Sequence, residues 1–247
     1  MRGIMRLALL GVPGAQRGGA PAPTTFTMVA TTTADAQTVT IQKLQAANAY
    51  EIDWGDGSAP QAVAAGYSGT LTHQYAGAGA YNVVIPQAAG YTDIDIRDSK
   101  IGMTVTAVNP FPSVTSLVYL NNLPNLTWTV STDTPFPSVT GSITLRDLSG
   151  LTWSSGAAIN LHSVGAITYE SSLSQPAVDA VLADLYSVFP ARTKVGTIDL
   201  LGGGNAAPSG TLQAACPPTT GKEYAYELVN DSCGVSDFHW TSVSIAA

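Results

Sequence analysis

The sequence predicts a mainly β protein, with an extended N-terminal arm, a β-sandwich, and then a short stack of repeats that carries one or two helices. Three observations indicate this class. Apolar and polar residues alternate through residues 24–85, a 25-residue repeat fills the middle of the chain, and helical spacing of apolar residues is confined to two places near the end. The 247 residues are enough for two domains, and 45% hydrophobic residues are enough for a packed core.

The composition narrows the function classes. Only 11% of the residues are charged, against roughly 25% in an average soluble domain. Such a surface is typical of secreted β-rich proteins and of subunits that neighbouring subunits cover. The net charge is −7 and the basic residues form no stripe, which argues against nucleic acid as the main partner. No apolar run approaches the roughly 20 residues of a membrane span.

Residues 1–23 predict an extended arm. Arg2, Arg6 and Arg17 precede the first acid, Asp35, and the segment is rich in Gly, Ala and Pro. We expect such an arm to dock on a neighbouring subunit or to stay free. A cleaved signal peptide that ends at Ala15 is the alternative, although the apolar run is at or below the short end of the usual length of about 7–15 residues.

Residues 24–90 form the predicted sandwich. The chain reads DWGDGS at 53–58, HQY at 73–75 and GAYNV at 79–83, and these three motifs in this order resemble the PKD family. The resemblance implies an immunoglobulin-like β-sandwich that serves as an extracellular spacer or a binding module.

Two interpretations of the polar residues in these motifs are open. Asp53 and Asp56 are candidate catalytic carboxylates or calcium ligands, or else they accept backbone hydrogen bonds in a tight turn. Aspartates do the latter habitually, and we favour it, with Trp54 in the core. His73 alternates with Leu71 and is interpreted as a packed strand residue.

The repeat lies within residues 91–247. The sequence PFPSVT at 110–115 returns at 135–140, and the apolar positions that follow recur in step, with Leu120, Leu123, Leu126 and Trp128 matching Leu145, Leu148, Leu151 and Trp153. The pattern resembles an irregular leucine-rich repeat, which implies a β-solenoid in which each turn adds a strand and an inward ladder, closed by a C-terminal cap. Trp128 and Trp153 are candidates for stacking on sugars, but their repeated position favours core packing.

The C-terminal third mixes helix and strand patterns. Apolar residues at helical spacing predict one helix over 174–189 and another over 221–229, with a strand near Gly196 and a closing strand that carries Val243 and Ile245. Cys216 and Cys233 form either a disulfide or two buried thiols, and the spacing leaves both open. One nearby histidine, His239, is too little for a metal site.

No catalytic, cofactor-binding or metal-binding residue is predicted, and the chain is not expected to be an enzyme. Nucleophile-elbow, zinc-protease and phosphate-loop motifs are absent from the sequence. Asp93 and Asp95 should face the same side of a strand. A glycosidase needs two carboxylates across a cleft, but glutamate is scarce in the sequence and the solenoid is too short to suggest such a cleft.

The two resemblances together imply a bacteriophage virion structural protein, such as a capsid decoration, a head fibre or a tail adaptor. In this hypothesis the arm binds other virion subunits, the chain forms a homo-oligomer, and the modules face a host-surface glycan or protein. The alternative is a secreted bacterial adhesin or a carbohydrate-binding protein of the cell surface.

Overall fold

The computed structural model describes residues 25–86, 90–97, 102–105, 114–123, 126–130, 139–148, 150–154 and 161–247. The arm predicted for residues 1–23 lies outside the described residues. The structure is mainly β, with 38% strand and 16% helix, so the predicted class is confirmed. The elements, in chain order, are β1 (Thr25–Thr32), β2 (Thr38–Ile41), β3 (Lys43–Ala46), β4 (Tyr50–Ile52), β5 (Gln61–Val63), β6 (Leu71–Gln74), β7 (Gly79–Pro86), β8 (Tyr91–Arg97), β9 (Gly102–Val105), β10 (Leu117–Asn121), β11 (Thr127–Val130), β12 (Ser142–Arg146), β13 (Gly150–Trp153), β14 (Ala166–Glu170), α1 (Gln175–Ser187), β15 (Gly196–Asp199), α2 (Gly221–Asn230) and β16 (Trp240–Ser244).

Antiparallel pairs organise the first part of the chain. β1 lies between β7 and β9, β2 pairs with β6, and β4 pairs with β5. The predicted alternation is confirmed in β1, β2 and β4, where every second residue is buried, as at Ile41 and Ile52. These apolar side chains belong to one continuous core together with the later strands.

A seven-stranded sheet organises the rest, in the order β16-β15-β14-β12-β10-β8-β3. All neighbours from β8 to β16 are parallel, and β3 joins antiparallel at the edge. Val118 lies opposite Ile143 and Leu120 opposite Leu145, which is the 25-residue shift of the sequence repeat. One row of buried side chains crosses the sheet, formed by Ile94, Val118, Ile143, Ile167 and Ile198.

The chain turns in the same way after successive parallel strands. Asn122, Asp147 and Ser172 have φ angles of 55°, 52° and 56°, and Gly203 follows β15 with a φ of 65°. Asp147 N–H donates to the carbonyl of Glu170 at 2.8 Å, which continues the ladder through the turn. This left-handed conformation favours glycine, asparagine and aspartate, so Asn122, Asp147 and Gly203 suit the turn.

Substitution of Asp147 tests this turn. Because a β-branched residue is strained at positive φ, we expect Asp147→Val to lower the free energy of unfolding by about 1–2 kcal/mol. Asp147→Gly should leave it within about 1 kcal/mol of the wild type. Chemical denaturation of the three proteins measures the difference, and equal stabilities for the valine and glycine variants would contradict the assignment.

Both predicted helices are confirmed. α1 lies between β14 and β15 and presents Val178, Val181, Leu182 and Leu185 to the core, as predicted from their spacing. Its insertion explains why Ile167 pairs with Ile198, a longer step than the 25 residues of the repeat. A short 3₁₀ helix (Phe189–Ala191) follows α1, and α2 packs on α1 and β16. Within the described residues, no helix is long and apolar enough to cross a membrane.

Two pairings cross the boundary predicted between residues 90 and 91. β3 pairs with β8, and β1 pairs with β9. The strands on either side of this boundary therefore share sheets.

The register of the tryptophans also differs from the prediction. In the parallel pair of β11 and β13, Trp128 lies opposite Leu151 and Trp153 lies opposite Val130. The two tryptophans are therefore offset by two residues, which the 25-residue repeat did not predict, because this pair is shifted relative to the main sheet.

Candidate functional site: the outer face of the parallel sheet

The side of the seven-stranded sheet opposite the buried row carries polar side chains. Since side chains alternate along a strand, the residues between the buried ones point away from the core. The register aligns these residues in three rows, which are Asp93-Leu117-Ser142-Ala166, Asp95-Tyr119-Thr144-Thr168 and Arg97-Asn121-Arg146-Glu170. We call this surface, with Lys43 of β3 at its edge, the outer face.

Ion pairs hold the charged groups at the β3 and β8 end of the outer face. Lys43 Nζ lies 3.1 Å from Asp93 Oδ2, and Arg97 Nη2 lies 3.2 Å from Asp95 Oδ2. The prediction that Asp93 and Asp95 share one side of a strand is confirmed by this geometry. Each carboxylate has a basic partner, so this arrangement fixes charge positions on the surface.

A third ion pair lies two strands away from β8, between Arg146 and Glu170. Arg146 Nη2 donates to Glu170 Oε1 at 3.2 Å, and Arg146 Nε lies 2.8 Å from Oε2. The hydrogen bond to Glu170 raises the pKa of Arg146, so the guanidinium stays charged. Between the two arginines, the Arg97 guanidinium lies 5.3 Å from the centre of the Tyr119 ring, and Asn121 Nδ2 is 3.4 Å from the Tyr119 hydroxyl.

The outer face offers groups for non-covalent recognition. The side chains of Arg97 and Arg146 are 44% and 40% exposed, and a guanidinium held by a carboxylate keeps further N–H donors for a ligand. The geometry fits recognition of a polar surface by fixed charges and an aromatic ring.

Comparison with known proteins finds no match. No family model matches the sequence, and no curated protein and no solved structure is significantly similar to the chain.

The DWGDGS turn follows β4, and its aspartates accept local hydrogen bonds. Asp53 Oδ1 accepts from the Gly55 N–H at 2.8 Å, and Asp56 Oδ1 accepts from the N–H and hydroxyl of Ser58 at 3.0 and 2.6 Å. Trp54 is buried. The interpretation of these residues as turn and core residues is confirmed.

His73 makes more contacts than the alternation of its strand predicts. Its Nε2 lies 2.7 Å from Asp56 Oδ2, and its ring stacks on Trp54 with centroids 5.1 Å apart and planes at 9°. Tyr75 and Tyr81 continue the aromatic cluster, with centroids 4.0 Å apart. The pair with Asp56 joins residues 17 apart in sequence, a separation that strand alternation does not predict. These contacts tie the turn to β6.

We expect low pH to weaken the DWGDGS turn, because Asp56 stabilises it as a carboxylate. Hydrogen bonds from the Ser58 hydroxyl and N–H, then from His73, lower the pKa of Asp56 from 3.8 to about 2. A carboxyl whose pKa is depressed by folding stabilises the fold above its ordinary pKa, and this stabilisation is lost as the pH falls through the folded pKa. We therefore expect Asp56→Asn to destabilise the protein at neutral pH and to equal the wild type below about pH 2.

Thermal unfolding of the wild type, Asp56→Asn and the control Asp35→Asn across this pH range measures the effect. Asp35 is exposed, so its variant should follow the wild type throughout. A constant offset between Asp56→Asn and the wild type at every pH would contradict the assignment.

The structure tests the core-packing interpretation for Trp153 but not for Trp128. Trp153 is half-buried against the core, its Nε1 donates to Asp184 Oδ2 at 2.9 Å, and its ring lies 6.0 Å from that of Tyr169. Core packing is confirmed for Trp153. Trp128 lies in β11, but its side chain is outside the described part of the structure, so its sugar-stacking and core interpretations both stay predictions.

Cys216 and Cys233 form a disulfide with Cα atoms 5.5 Å apart, which decides between the two possibilities left open by the sequence. The carboxylate of Glu227 lies within 4.8 Å of both sulfurs, but sulfurs bonded to each other are not thiolate ligands for a metal. Glu227 instead accepts hydrogen bonds around this bridge, from Ala215 N–H, Cys233 N–H and the Ser232 hydroxyl. The three groups therefore form a structural cluster that closes the loop.

The sequence interpretation missed the outer face. Arg97, Asn121, Arg146 and Glu170 occupy one position of successive repeats, so aligning the repeats by their strands would have shown a polar row. The ion pairs within the row could not be predicted, because they depend on how neighbouring turns of the chain stack.

Proposed function

We propose that this chain is a non-enzymatic structural protein of a bacteriophage virion, placed at the particle surface as a capsid decoration, head fibre or tail adaptor. In this proposal an immunoglobulin-like, PKD-like sandwich joins a leucine-rich-repeat-like solenoid, the arm of residues 1–23 binds other virion subunits, and the outer face is presented to a host-surface glycan or protein. The single observation that carries the binding role is the outer face, with its charges held in ion pairs on a parallel sheet.

The strand pairings support the fold part of the proposal. The antiparallel pairs of residues 25–86 enclose a core that contains Trp54 and Tyr75, as an immunoglobulin-like sandwich would. The parallel ladder from β8 to β16, with left-handed turns after β10, β12, β14 and β15, is the arrangement expected when the turns of a solenoid stack.

Charge and covalent chemistry support a place outside the cytosol. Only 11% of the residues are charged, so close packing against neighbouring subunits buries few charges that need partners. The Cys216–Cys233 disulfide is of the kind that persists on virion and cell surfaces and in secreted proteins. A homo-oligomer in a symmetric shell or fibre fits both features.

The test is mass spectrometry of the protein in its native source after separation on a density gradient. We expect chains that begin near Met1 to sediment with virions. Chains that are soluble or bound to cells, and that begin near Gln16, would overturn the virion assignment in favour of a secreted adhesin.

A secreted adhesin or carbohydrate-binding protein is the second candidate, and the disulfide and the exposed Arg97 beside Tyr119 favour it. A glycan array probed with the wild type, Arg97→Ala and Tyr119→Ala tests the ligand. Arg192→Ala is unsuitable as a control because Arg192 is buried, whereas Lys222 of α2 is only half-buried and offers Lys222→Ala. We expect glycan binding to depend on Arg97 and Tyr119 only, and equal loss in Lys222→Ala would contradict a site on the outer face.

A further inference from the structure

One edge of the seven-stranded sheet is open among the described residues. β16 pairs with β15 on one side, and no described strand pairs with its other side. The Ser244 carbonyl accepts from the Leu200 N–H at 2.8 Å. Because backbone groups alternate in direction along a strand, those of Val243 then point away from β15. An edge of this kind is a template for another strand.

β16 and the residues that follow it carry no charged side chain. Residues 240–247 contain no acidic or basic side chain and no proline, whereas natural proteins commonly protect an edge with lysine or proline. The opposite edge, β3, carries Lys43 in an ion pair with Asp93. Although the whole chain has a net charge of −7, two copies can meet at β16 without placing like charges opposite each other.

Exposed apolar side chains lie at both ends of this edge. Five large apolar side chains are exposed in the described residues, and four of them lie near β15, β16 or the loop before α2, namely Val195, Leu201, Leu212 and Phe238. Phe238 precedes β16, while Leu212 and Ile245 line an open cavity of about 490 Å³ beyond its other end. An antiparallel copy of the strand would bring the Phe238 end of one chain beside the Leu212 end of the other.

We infer that β16 is an interface between two copies of this chain, which pair their β16 strands antiparallel about a two-fold axis and join their sheets into one. The inference rests on the homo-oligomer of the proposed function and names its surface. Pairing about a two-fold axis gives hydrogen-bond partners to the open backbone groups of both copies and leaves no free edge at β16. This contact therefore forms a dimer and does not extend to further chains.

The test compares the full-length wild type with Val243→Pro and Val243→Ala. Proline removes the outward N–H of Val243 without touching the ladder to β15, and alanine removes most of the side chain but keeps the N–H. Light scattering after gel filtration should give a dimer for the wild type and the alanine variant. For the proline variant we expect the dissociation constant to rise about tenfold or more, because each dimer loses the bond at two symmetric positions.

Hydrogen exchange on the wild type provides a measurement that does not depend on how the variants fold. The amide of Val243 should be protected at high protein concentration and should lose protection on dilution. Protection that does not change with concentration would show that the same chain covers the edge, for example through residues 1–24, and would overturn the inference. A monomeric wild type overturns it too, and leaves the binding role of the outer face standing. An oligomer that Val243→Pro does not weaken, in a variant with wild-type circular dichroism, overturns the β16 interface alone.

Discussion

Asn205→Leu is expected to lower the free energy of unfolding by about 3–5 kcal/mol. The Asn205 amide is buried and makes four hydrogen bonds to the backbone. Its Oδ1 accepts from Ser171 N–H at 3.1 Å and Leu173 N–H at 2.9 Å, and its Nδ2 donates to the carbonyls of Tyr169 at 2.6 Å and Leu200 at 3.1 Å. Leucine has a similar size but no polar atom, so four buried backbone groups would lose their partner.

The measurement is thermal unfolding, in which a loss of this size lowers the midpoint by roughly 10 °C in a chain of this length. Asn230→Leu is the matched control, because Asn230 is an exposed asparagine at the end of α2 whose amide donates to one carbonyl, that of Tyr226, at 2.9 Å. We expect the control to lose at most about 1 kcal/mol. If both variants lose the same stability, Asn205 does not join the ends of β14 and β15 as described.

Glu227→Leu is expected to lower the free energy of unfolding by about 3–4 kcal/mol, since hydrogen bonds to a charged acceptor are the stronger ones and three partly buried donors would lose this acceptor. The Glu227 side chain is fully buried. It accepts from Ala215 N–H and Cys233 N–H, each at 3.1 Å, and from the Ser232 hydroxyl. These donors lie beside Cys216 and Cys233, so the carboxylate holds both ends of the disulfide-closed loop.

Chemical denaturation under oxidising conditions measures the loss, and Glu51→Leu is the control because Glu51 is exposed on β4. Glu227→Gln should lose less than the leucine variant, as it keeps one acceptor atom in place. A leucine variant as stable as the glutamine variant would show that the hydrogen bonds contribute little and that only the size of the side chain matters.

Local and periodic patterns were enough to predict much of the fold. The alternation that buries Ile41 and Ile52, the turn at DWGDGS, the 25-residue register that places Val118 opposite Ile143, and the apolar stripe of α1 are all confirmed. These features depend on residues that are close in sequence, or on a spacing that repeats, and the sequence displays both directly.

The tertiary structure alone decided the contacts between residues without a common pattern. The bond of His73 to Asp56, the pairing of Cys216 with Cys233 and the four bonds of Asn205 each join positions from separate elements. The offset of Trp128 from Trp153 belongs here as well. The sequence determined which strands and helices form, because backbone geometry and burial act locally. Only the stacking of those elements brought the charges of the outer face together and left β16 at an edge, since both depend on the positions of strands far apart in the chain.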